Sequence, residues 1–423
     1  MASVCHELVW GILMNPARLA IAVVGSGLHL TLSAAYLAEK LQYLKPIVLA
    51  VQLPEEESDK DFSFAFPPFS EPISPILRQQ LAESSLRKID LRTRSFSTGF
   101  GFNFSTYGVV SAGVSFPQAY QICAQNVENF PEYDSFLENE KVGIIYNRKL
   151  VAEDYRCLAI KKDVVFIPCK SIQVIKDEGK ILSVETVDGQ RVTADYFIDC
   201  SSKGQLMACV QERVSISEDV LPSWSVRRNH LPRVAPDISC TYKFESSQMV
   251  SAVNYGQACY EKMSDFNAGV TLSEYFQSPW SDNCITVGRG FAEMPEFLID
   301  LDRMLEKQLM VLSWLIGANS QITYSTRHFN TLSMRYFDEA IDTVNLMLCG
   351  AGIAPELTPG NQRRVELFQS SASTIKENNV FISENNWTGL LHAAGYKPAN
   401  INAFAAATSV NQIVGRTKSL ISR

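Results

Sequence analysis

The feature that most constrains this chain is an apolar run near the N-terminus that ends in two closely spaced glycines. Residues 19–27 read Leu-Ala-Ile-Ala-Val-Val-Gly-Ser-Gly, and an apolar run bounded by glycines is typical of a buried parallel strand. Residues 28–44 are rich in Leu and Ala at helical spacing, and Pro46 ends this stretch before a second apolar run at 47–51. Strand, glycine turn, helix and strand form a βαβ unit, so the sequence predicts an α/β fold on a parallel sheet.

The glycine turn has part of the pattern that binds a dinucleotide. Such a turn uses one glycine for the tight bend, a second for backbone approach to the pyrophosphate and a third for close helix packing. Gly25 and Gly27 supply the first two, and Leu30 replaces the third. The helix N-terminus can still offer N–H groups to a phosphate, although His29 suits a surface position equally well. The predicted cofactor-binding residues of the turn are Gly25, Ser26, Gly27 and His29.

The second strand also departs from the dinucleotide pattern at its end. An acidic residue is expected there to accept hydrogen bonds from the ribose hydroxyls, and this chain has Gln52. Gln52 keeps a carbonyl acceptor, so ribose binding is weakened rather than excluded. A doubly wound domain that binds no nucleotide is therefore the alternative interpretation.

A third segment carries a resemblance to a known family. Residues 194–204 read Ala-Asp-Tyr-Phe-Ile-Asp-Cys-Ser-Ser-Lys-Gly. This stretch resembles the "AD-FIDCSG" sequence of flavin-dependent tryptophan halogenases and related flavin monooxygenases. In that family it is the returning strand of the FAD domain, and the turn after it lies beside the cofactor. The resemblance implies that Ser202, where the family usually has glycine, and Gly204 bind the cofactor.

A fourth segment is similar to the family's late strand and turn. Residues 343–349 form an apolar run that we interpret as a buried strand, followed by a Gly-Ala-Gly turn and a helical pattern from about residue 362. In halogenases this turn carries a "P-L-E-S-T" sequence before a helix whose N-terminus points at the flavin. Ala351 stands where many flavoproteins have an aspartate, and a plain strand-to-helix turn is the alternative. The resemblance implies cofactor contacts from Gly350, Gly352, Pro355, Thr358 and Gly360.

The family's halogenation motifs are missing from the sequence. Halogenases carry a W-x-W-x-I-P motif, and none of the five tryptophans here has that spacing: Trp10, Trp224, Trp280, Trp314 and Trp387. The family also places a lysine on the strand after the first loop. The matching stretch, 94–104, contains no lysine, and Lys88 lies on a segment that we predict to be helical. The sequence therefore does not favour chlorination or bromination.

These patterns predict an α/β fold with a doubly wound FAD-binding domain of the GR2 type, similar to p-hydroxybenzoate hydroxylase. A mostly antiparallel substrate domain and a helical C-terminus complete the prediction. The predicted boundaries are 18–66, 117–212 and 340–380 for the discontinuous FAD-type domain, 67–116 and 213–339 for the substrate domain, and 381–423 for the C-terminal segment.

Composition limits the classes of partner. A net charge of −7 and a pI near 5.4 disfavour a general nucleic-acid binder, although a basic loop at 225–233 could dock an acidic partner. The ten cysteines form no CxxC pair, so we predict no metal site and reduced thiols in a cytoplasmic protein. The sequence contains no window of about 20 apolar residues, so no membrane-spanning helix is expected.

The resemblance implies a flavin-dependent oxidoreductase of the monooxygenase and halogenase type, supplied by a flavin reductase. Its substrate would be aromatic, and the short substrate domain suits one tethered to a carrier or to a protein. The alternative is a pseudoenzyme in which FAD is weakly bound or lost and which serves as a partner or scaffold. Leu30, Gln52 and Ala351 favour this alternative, because they are altered positions in separate motifs. An NAD(P)-dependent reductase ranks last.

Overall fold

The computed structural model describes most of the chain, and the following account is confined to those residues. They are 18–56, 62–65, 86–91, 109–111, 114–115, 141–232, 239–245, 247–255, 258–267, 269, 271–296, 299, 301–317, 322–371, 381–382, 387, 390–391, 394–396, 398–399 and 410–421.

The described residues form the following strands and helices. The strands are β1 (Ala20–Gly25), β2 (Ile47–Gln52), β3 (Phe62–Ala65), β4 (Leu86–Leu91), β5 (Val109–Ser111), β6 (Val114–Ser115), β7 (Lys141–Asn147), β8 (Val165–Pro168), β9 (Ile172–Asp177), β10 (Lys180–Thr186), β11 (Arg191–Val192), β12 (Tyr196–Cys200), β13 (Val214–Ser215), β14 (Ser225–Pro232), β15 (Ser239–Glu245), β16 (Gln248–Tyr255), β17 (Ala258–Asp265), β18 (Glu274–Tyr275), β19 (Trp280–Ser281), β20 (Cys284–Thr286) and β21 (Ala292–Glu293). The helices are α1 (Gly27–Lys40), α2 (Arg148–Lys161), α3 (Leu301–Gly317), α4 (Ile322–Gly350), α5 (Pro359–Ser371) and α6 (Val410–Ile421).

A six-stranded sheet contains the predicted βαβ unit. Its order is β8–β2–β1–β12–β20–β19, and all neighbours are parallel except β19 and β20. In the central strand β1, Val23 lies beside Ala50 of β2 on one side and Ile198 of β12 on the other. Strands covered on both faces need apolar side chains throughout, which explains the uninterrupted runs in the sequence. The prediction of a parallel sheet on β1, α1 and β2 is confirmed.

The strand predicted at 343–349 is wrong. These residues are the last two turns of α4, a 29-residue helix whose C-terminal half is almost entirely buried. A short apolar run cannot be assigned to strand or buried helix by periodicity alone. The strand that follows β12 in the parallel sheet is instead β20, which lies inside the range predicted for the substrate domain. The other domain boundaries remain predictions.

The described residues also form a second, mostly antiparallel sheet of seven strands. Its order is β14–β17–β16–β15–β4–β7–β3, and only β15 and β4 are parallel neighbours. Two local predictions were wrong here. Residues 86–88, predicted as helical, belong to β4, and the predicted basic loop 225–233 is mainly β14.

Helix α4 also protects the edge of the parallel sheet. The Asn330 side chain accepts a hydrogen bond from the Trp280 backbone N–H (2.7 Å) and donates one to the Trp280 carbonyl oxygen (3.0 Å). These two bonds satisfy the groups that a further strand would otherwise pair with. Among the helices of the described segments, none has the length and apolar character needed to cross a membrane.

Candidate cofactor crevice

The predicted glycine turn joins β1 to α1 as expected, and each glycine has a local reason. A Cβ atom on Gly25 would lie 2.7 Å from the Cys200 Sγ atom, so the close approach of β1 and β12 requires glycine there. Gly27 has φ +51°, in the left-handed region that favours glycine. Leu30 is buried in the core, and its N–H donates to the Ser26 carbonyl oxygen at 3.2 Å. The fold thus accommodates the bulky residue at the third glycine position.

A second glycine turn follows β20. Gly288 has φ +54°, and a Cβ atom on Gly290 would lie 2.3 Å from the Asp199 carbonyl oxygen. Helix α3 begins a short distance later, at Leu301. The strand, turn and helix that the resemblance implied at 345–362 are therefore found at 284–317. Arg289, rather than an aspartate, follows the first glycine of this turn. The sequence analysis did not identify Arg289 as a site residue.

The His29 side chain fills the space between the two glycine turns. Its ring packs on Gly288, where a Cβ atom would lie 2.6 Å from both Cε1 and Nδ1. The backbone N–H of Arg289 donates to Nδ1 at 3.2 Å, so Nδ1 is unprotonated and Nε2 carries the hydrogen. Nε2 donates to Asp302 Oδ1 at 2.7 Å. Both ring nitrogens of this buried histidine are therefore occupied within the protein.

Arg148 brings a fourth segment to the same point. It is the first residue of α2, whose N-cap Asn147 accepts the Leu150 N–H at 3.1 Å. Its Nη2 atom donates to Asp302 Oδ1 at 2.5 Å. Arg148 is 1% exposed and Asp302 2% exposed, so this is a fully buried ion pair. We call His29, Arg148, Arg289 and Asp302 the crevice cluster.

The charges of the crevice cluster are set by burial and by each other. Burial lowers the pKa of His29, although its hydrogen bond to Asp302 opposes that shift. Burial alone would raise the pKa of Asp302, but Arg148, His29 and Arg289 outweigh it and hold that pKa well below its usual range. At neutral pH His29 is therefore neutral and Asp302 is ionised.

A further pair extends the cluster toward the antiparallel sheet. Lys262 of β17 contacts Glu296, with Nζ and Oε2 2.6 Å apart. Burial would raise the pKa of Glu296, but Lys262 and Arg148 bring it to about 2. Lys262 of the antiparallel sheet and the crevice cluster thus meet at the carboxyl ends of the parallel strands. Open α/β sheets bind their ligands at this edge.

The predicted residues Ser202 and Gly204 lie next to this crevice. Asp199 at the end of β12 is fully buried and accepts hydrogen bonds from Ser201 Oγ (2.6 Å) and the Leu206 N–H (2.7 Å). Burial raises the pKa of Asp199, and these hydrogen bonds partly offset that effect. A Cβ atom on Gly204 would lie 2.4 Å from the Gly290 carbonyl oxygen. The turn after β12 therefore packs directly on the turn after β20.

Gln52 is already engaged by a neighbouring arginine. Arg156 Nη1 on α2 donates to Gln52 Oε1 at 2.6 Å, and the Arg156 guanidinium lies 4.3 Å from the centre of the Phe166 ring. The carbonyl acceptor proposed for a ribose hydroxyl therefore has a protein donor. Gln52 ends β2 as predicted, but nothing in the sequence indicated its hydrogen bond with Arg156.

The five late predicted residues lie at the joint between α4 and α5 instead. Gly352, with φ +72°, terminates α4, and its N–H donates to the Cys349 carbonyl oxygen at 3.0 Å. Thr358 caps α5 and donates to Asp342 Oδ1 at 2.5 Å. The remaining contacts are equally local: Gly350 against Ala394, Gly360 against Asp342, and Pro355 in the connecting turn. None of the described hydrogen bonds or close contacts of these five residues reaches the β1–α1 turn.

In the conformation described, the crevice residues do not fit FAD. A dinucleotide needs the backbone of the β1–α1 turn to be accessible to its pyrophosphate. Here the His29 ring lies between that turn and Gly288, and the positive end of α3 faces the carboxylate of Asp302. Binding would require His29 and Asp302 to leave buried hydrogen bonds.

Lys88 has a different place from that predicted. It lies on β4, opposite Ile144 of β7, rather than on a helix. The argument from a helical position therefore does not hold, and the prediction against halogenation depends on the missing motifs alone. The stretch 94–104 is outside the described residues.

Comparison with known proteins places the fold. No family model and no curated protein sequence matches the chain. Solved structures do match over nearly the full length. A flavin-dependent halogenase from Xanthomonas campestris has 14% identity and a TM-score of 0.79, covering 96% of this chain and 95% of that chain. One from Brevundimonas sp. BAL3 has 12% identity and a TM-score of 0.78, covering 96% of both chains.

A tryptophan 6-halogenase from Streptomyces toxytricini has 12% identity and a TM-score of 0.76, again covering 96% of both chains. The agreement with the family suggested by residues 194–204 confirms the predicted fold class: a doubly wound α/β unit with a mostly antiparallel second sheet. At these identities the likeness concerns architecture. The chain has the fold of the flavin-dependent halogenases.

Proposed function

We propose that this chain is a halogenase-fold protein without tight FAD binding that acts as a partner or scaffold for another protein. One observation carries the proposal: the His29 ring fills the space between the two glycine turns and is held there by Arg289 and Asp302. A cofactor would have to displace a buried, fully hydrogen-bonded side chain. Breaking a buried charge network of this kind is costly.

The altered cofactor positions support the same conclusion. Leu30 belongs to the core, Gln52 is hydrogen-bonded to Arg156, and Arg289 stands after the glycine that follows β20. Gln52 and Arg289 stand where the dinucleotide pattern has cofactor contacts, and Leu30 stands where it has a packing glycine. The three altered positions lie in separate segments, and all of them favour a crevice without a tightly bound cofactor.

The partner best suited to this role is a flavin-dependent paralogue with an intact glycine turn. In such a pair the closed copy would support the active one without chemistry of its own. Co-expression followed by size-exclusion chromatography would detect a stable heterocomplex. Two separate peaks for every paralogue of the same genome would remove this form of the proposal. The predicted cytoplasmic location remains a prediction.

Flavin titration is the decisive experiment. The purified protein is titrated with FAD and with reduced FAD under nitrogen, and binding is followed by flavin fluorescence and by the visible spectrum. A flavin-dependent halogenase serves as the positive control. We expect no saturation for either redox form up to about 100 μM, which corresponds to a binding free energy weaker than about −5.5 kcal/mol. A Kd near or below 1 μM, about −8 kcal/mol, would overturn the proposal.

The second candidate is a flavin-dependent oxidoreductase acting on an aromatic substrate. It is favoured by the retention of Gly25 and of Gly27 in the left-handed conformation, together with the complete β1–α1–β2 unit. FAD would supply the redox chemistry, a flavin reductase the electrons and dioxygen the oxygen atoms. One oxygen atom would enter a substrate tethered to a carrier or a protein, and the other would leave as water. Tight FAD binding in the titration would establish this candidate. Single-turnover assays with carrier-bound and protein-bound aromatic substrates would then follow.

A further inference from the structure

The carboxylate of Asp302 occupies a position suited to a small anion. Asp302 lies in the first turn of α3, where backbone N–H groups and the helix dipole favour negative charge. Arg148 Nη2 and His29 Nε2 both direct donors at its Oδ1 atom, at 2.5 and 2.7 Å. All three residues are at most 2% exposed. The protein has therefore enclosed a carboxylate at the start of α3 between donors from two other segments, α1 and α2.

The surroundings of this carboxylate carry a surplus of positive charge. Three cations meet two carboxylates here, with His29 neutral: Arg148, Arg289 and Lys262 against Asp302 and Glu296. Removal of the Asp302 side chain would therefore leave a buried site with a stronger preference for an anion.

A buried amide next to His29 offers a further donor. Gln308 on α3 is fully buried, and its Oε1 atom accepts the Gly288 N–H at 2.8 Å. Its Nε2 atom has no hydrogen-bond partner among the described residues. Buried polar groups of this kind are normally satisfied, so the Gln308 amide is an unused donor in the same buried region as the crevice cluster.

We infer that Asp302 is an internal ligand in a small-carboxylate site formed by Arg148, His29 and the N-terminus of α3. When the Asp302 side chain is absent, the site binds free formate or acetate. This inference deepens the proposed function and rests on it, because a carboxylate already held at the N-terminus of α3 occupies the helix end that would otherwise face a flavin. In the native protein the attached carboxylate has the advantage of a high effective concentration, so free carboxylates do not displace it.

Chemical rescue of Asp302→Gly tests the inference. Thermal unfolding of the full chain at pH 7 is measured in rising sodium formate and in sodium chloride of equal ionic strength. We expect a saturable rise of several degrees in Tm that is specific to formate, because a ligand that binds the folded state stabilises it. Neither the native protein nor Asp302→Asn, whose amide fills the same space, should respond.

Asp342→Gly is the matched control, because Asp342 also pairs with an arginine but lies within α4. A folded Asp302→Gly protein with no formate response, or an equal response in Asp342→Gly, would overturn the inference. If Asp302→Gly is insoluble, the soluble yield after refolding in formate and in chloride is compared, and equal yields would count against it. FAD binding by the native protein would instead overturn the proposed function and leave the formate result to be read separately.

Discussion

The crevice cluster and the joint between α4 and α5 are each built around a buried aspartate paired with an arginine, yet they are assembled differently. Asp302 takes its partners from positions 29 and 148, far away in the chain. Asp342 takes its partners Thr358 and Arg364 from the adjacent helix. The Arg148 side chain is 2% exposed, whereas that of Arg364 is 17% exposed.

The crevice cluster joins segments that are far apart in the chain, whereas the joint between α4 and α5 connects two consecutive helices. The crevice cluster ties α1, α2, α3 and the turn after β20 together through direct hydrogen bonds, so its loss should affect the whole molecule. The joint fixes one helix on another and keeps partial access to solvent, which can compensate for a lost partner. Four measurements test this contrast.

The largest effect is expected from removal of the two aspartates. Asp302→Ala leaves Arg148 buried without its carboxylate, so we expect a loss of about 3–5 kcal/mol in the free energy of unfolding. Asp342→Ala should cost about 1–2 kcal/mol, because Arg364 can turn to solvent. Urea unfolding followed by tryptophan fluorescence measures both. Asp302→Leu combined with Arg148→Met should recover most of the loss, and equal losses at the two aspartates would contradict the contrast.

The second comparison uses two glycines with positive φ. Gly288→Ala places a Cβ atom 2.6 Å from the His29 ring as well as in a left-handed backbone, so we expect a loss of about 2 kcal/mol. Gly352→Ala at the joint meets nothing within 4 Å and should cost only the backbone strain, about 1 kcal/mol. Addition of His29→Ala should reduce the Gly288→Ala loss through direct coupling. Strict additivity of the two changes would show that the ring does not pack on Gly288.

The third test concerns the cap of α5. Thr358→Val keeps the shape but removes the hydroxyl that donates to Asp342 and accepts the Asn361 N–H at 3.1 Å. We expect a loss of about 1 kcal/mol in the free energy of unfolding, as for other N-cap replacements. Thr358→Ser should remain close to the native value. A flavin titration of Thr358→Val should be unchanged from that of the native protein, and a specific change would place the joint near the ligand site after all.

The smallest effect is a pH dependence at the joint. Burial, and then the neighbouring Asp342, raise the pKa of Asp338 to about 6. Because this folded-state pKa lies above the unfolded value of 3.8, the contribution of Asp338 to stability is complete below about pH 4 and is lost as pH rises through 6. Asp338→Asn should therefore gain stability relative to the native protein between pH 4 and pH 7. We expect under about 1 kcal/mol, because the Asp338 carboxyl is only partly withdrawn from solvent, which screens its charge. Parallel stability curves for the two proteins would refute this assignment.

The sequence allowed the parallel sheet to be predicted where its signal was local. The run before Gly25 and the helix after it have periodicities that follow directly from a buried strand and a packed helix. Residues 196–200 were identified by family resemblance and form β12, as expected.

The last strand and the crevice cluster could not be placed in the same way. Strand β20 has only three residues, whereas the longer apolar run at 343–349 looked more like a strand although it belongs to a buried helix. The partners of His29 come from the turn after β20 and from α3, and no sequence spacing links them. Arg289 after Gly288 was the one available signal, and it was visible only once β20 was known to be a strand of the parallel sheet.

The Asn330 side chain has a consequence for how copies of this protein associate. By bonding both backbone groups of Trp280, it gives the parallel sheet a finished border that another chain cannot extend at that residue. Continuous cross-molecule sheets, and the fibrous aggregates that grow from them, are thereby discouraged on this side. An assembly with a second subunit therefore cannot continue the parallel sheet through the backbone of Trp280.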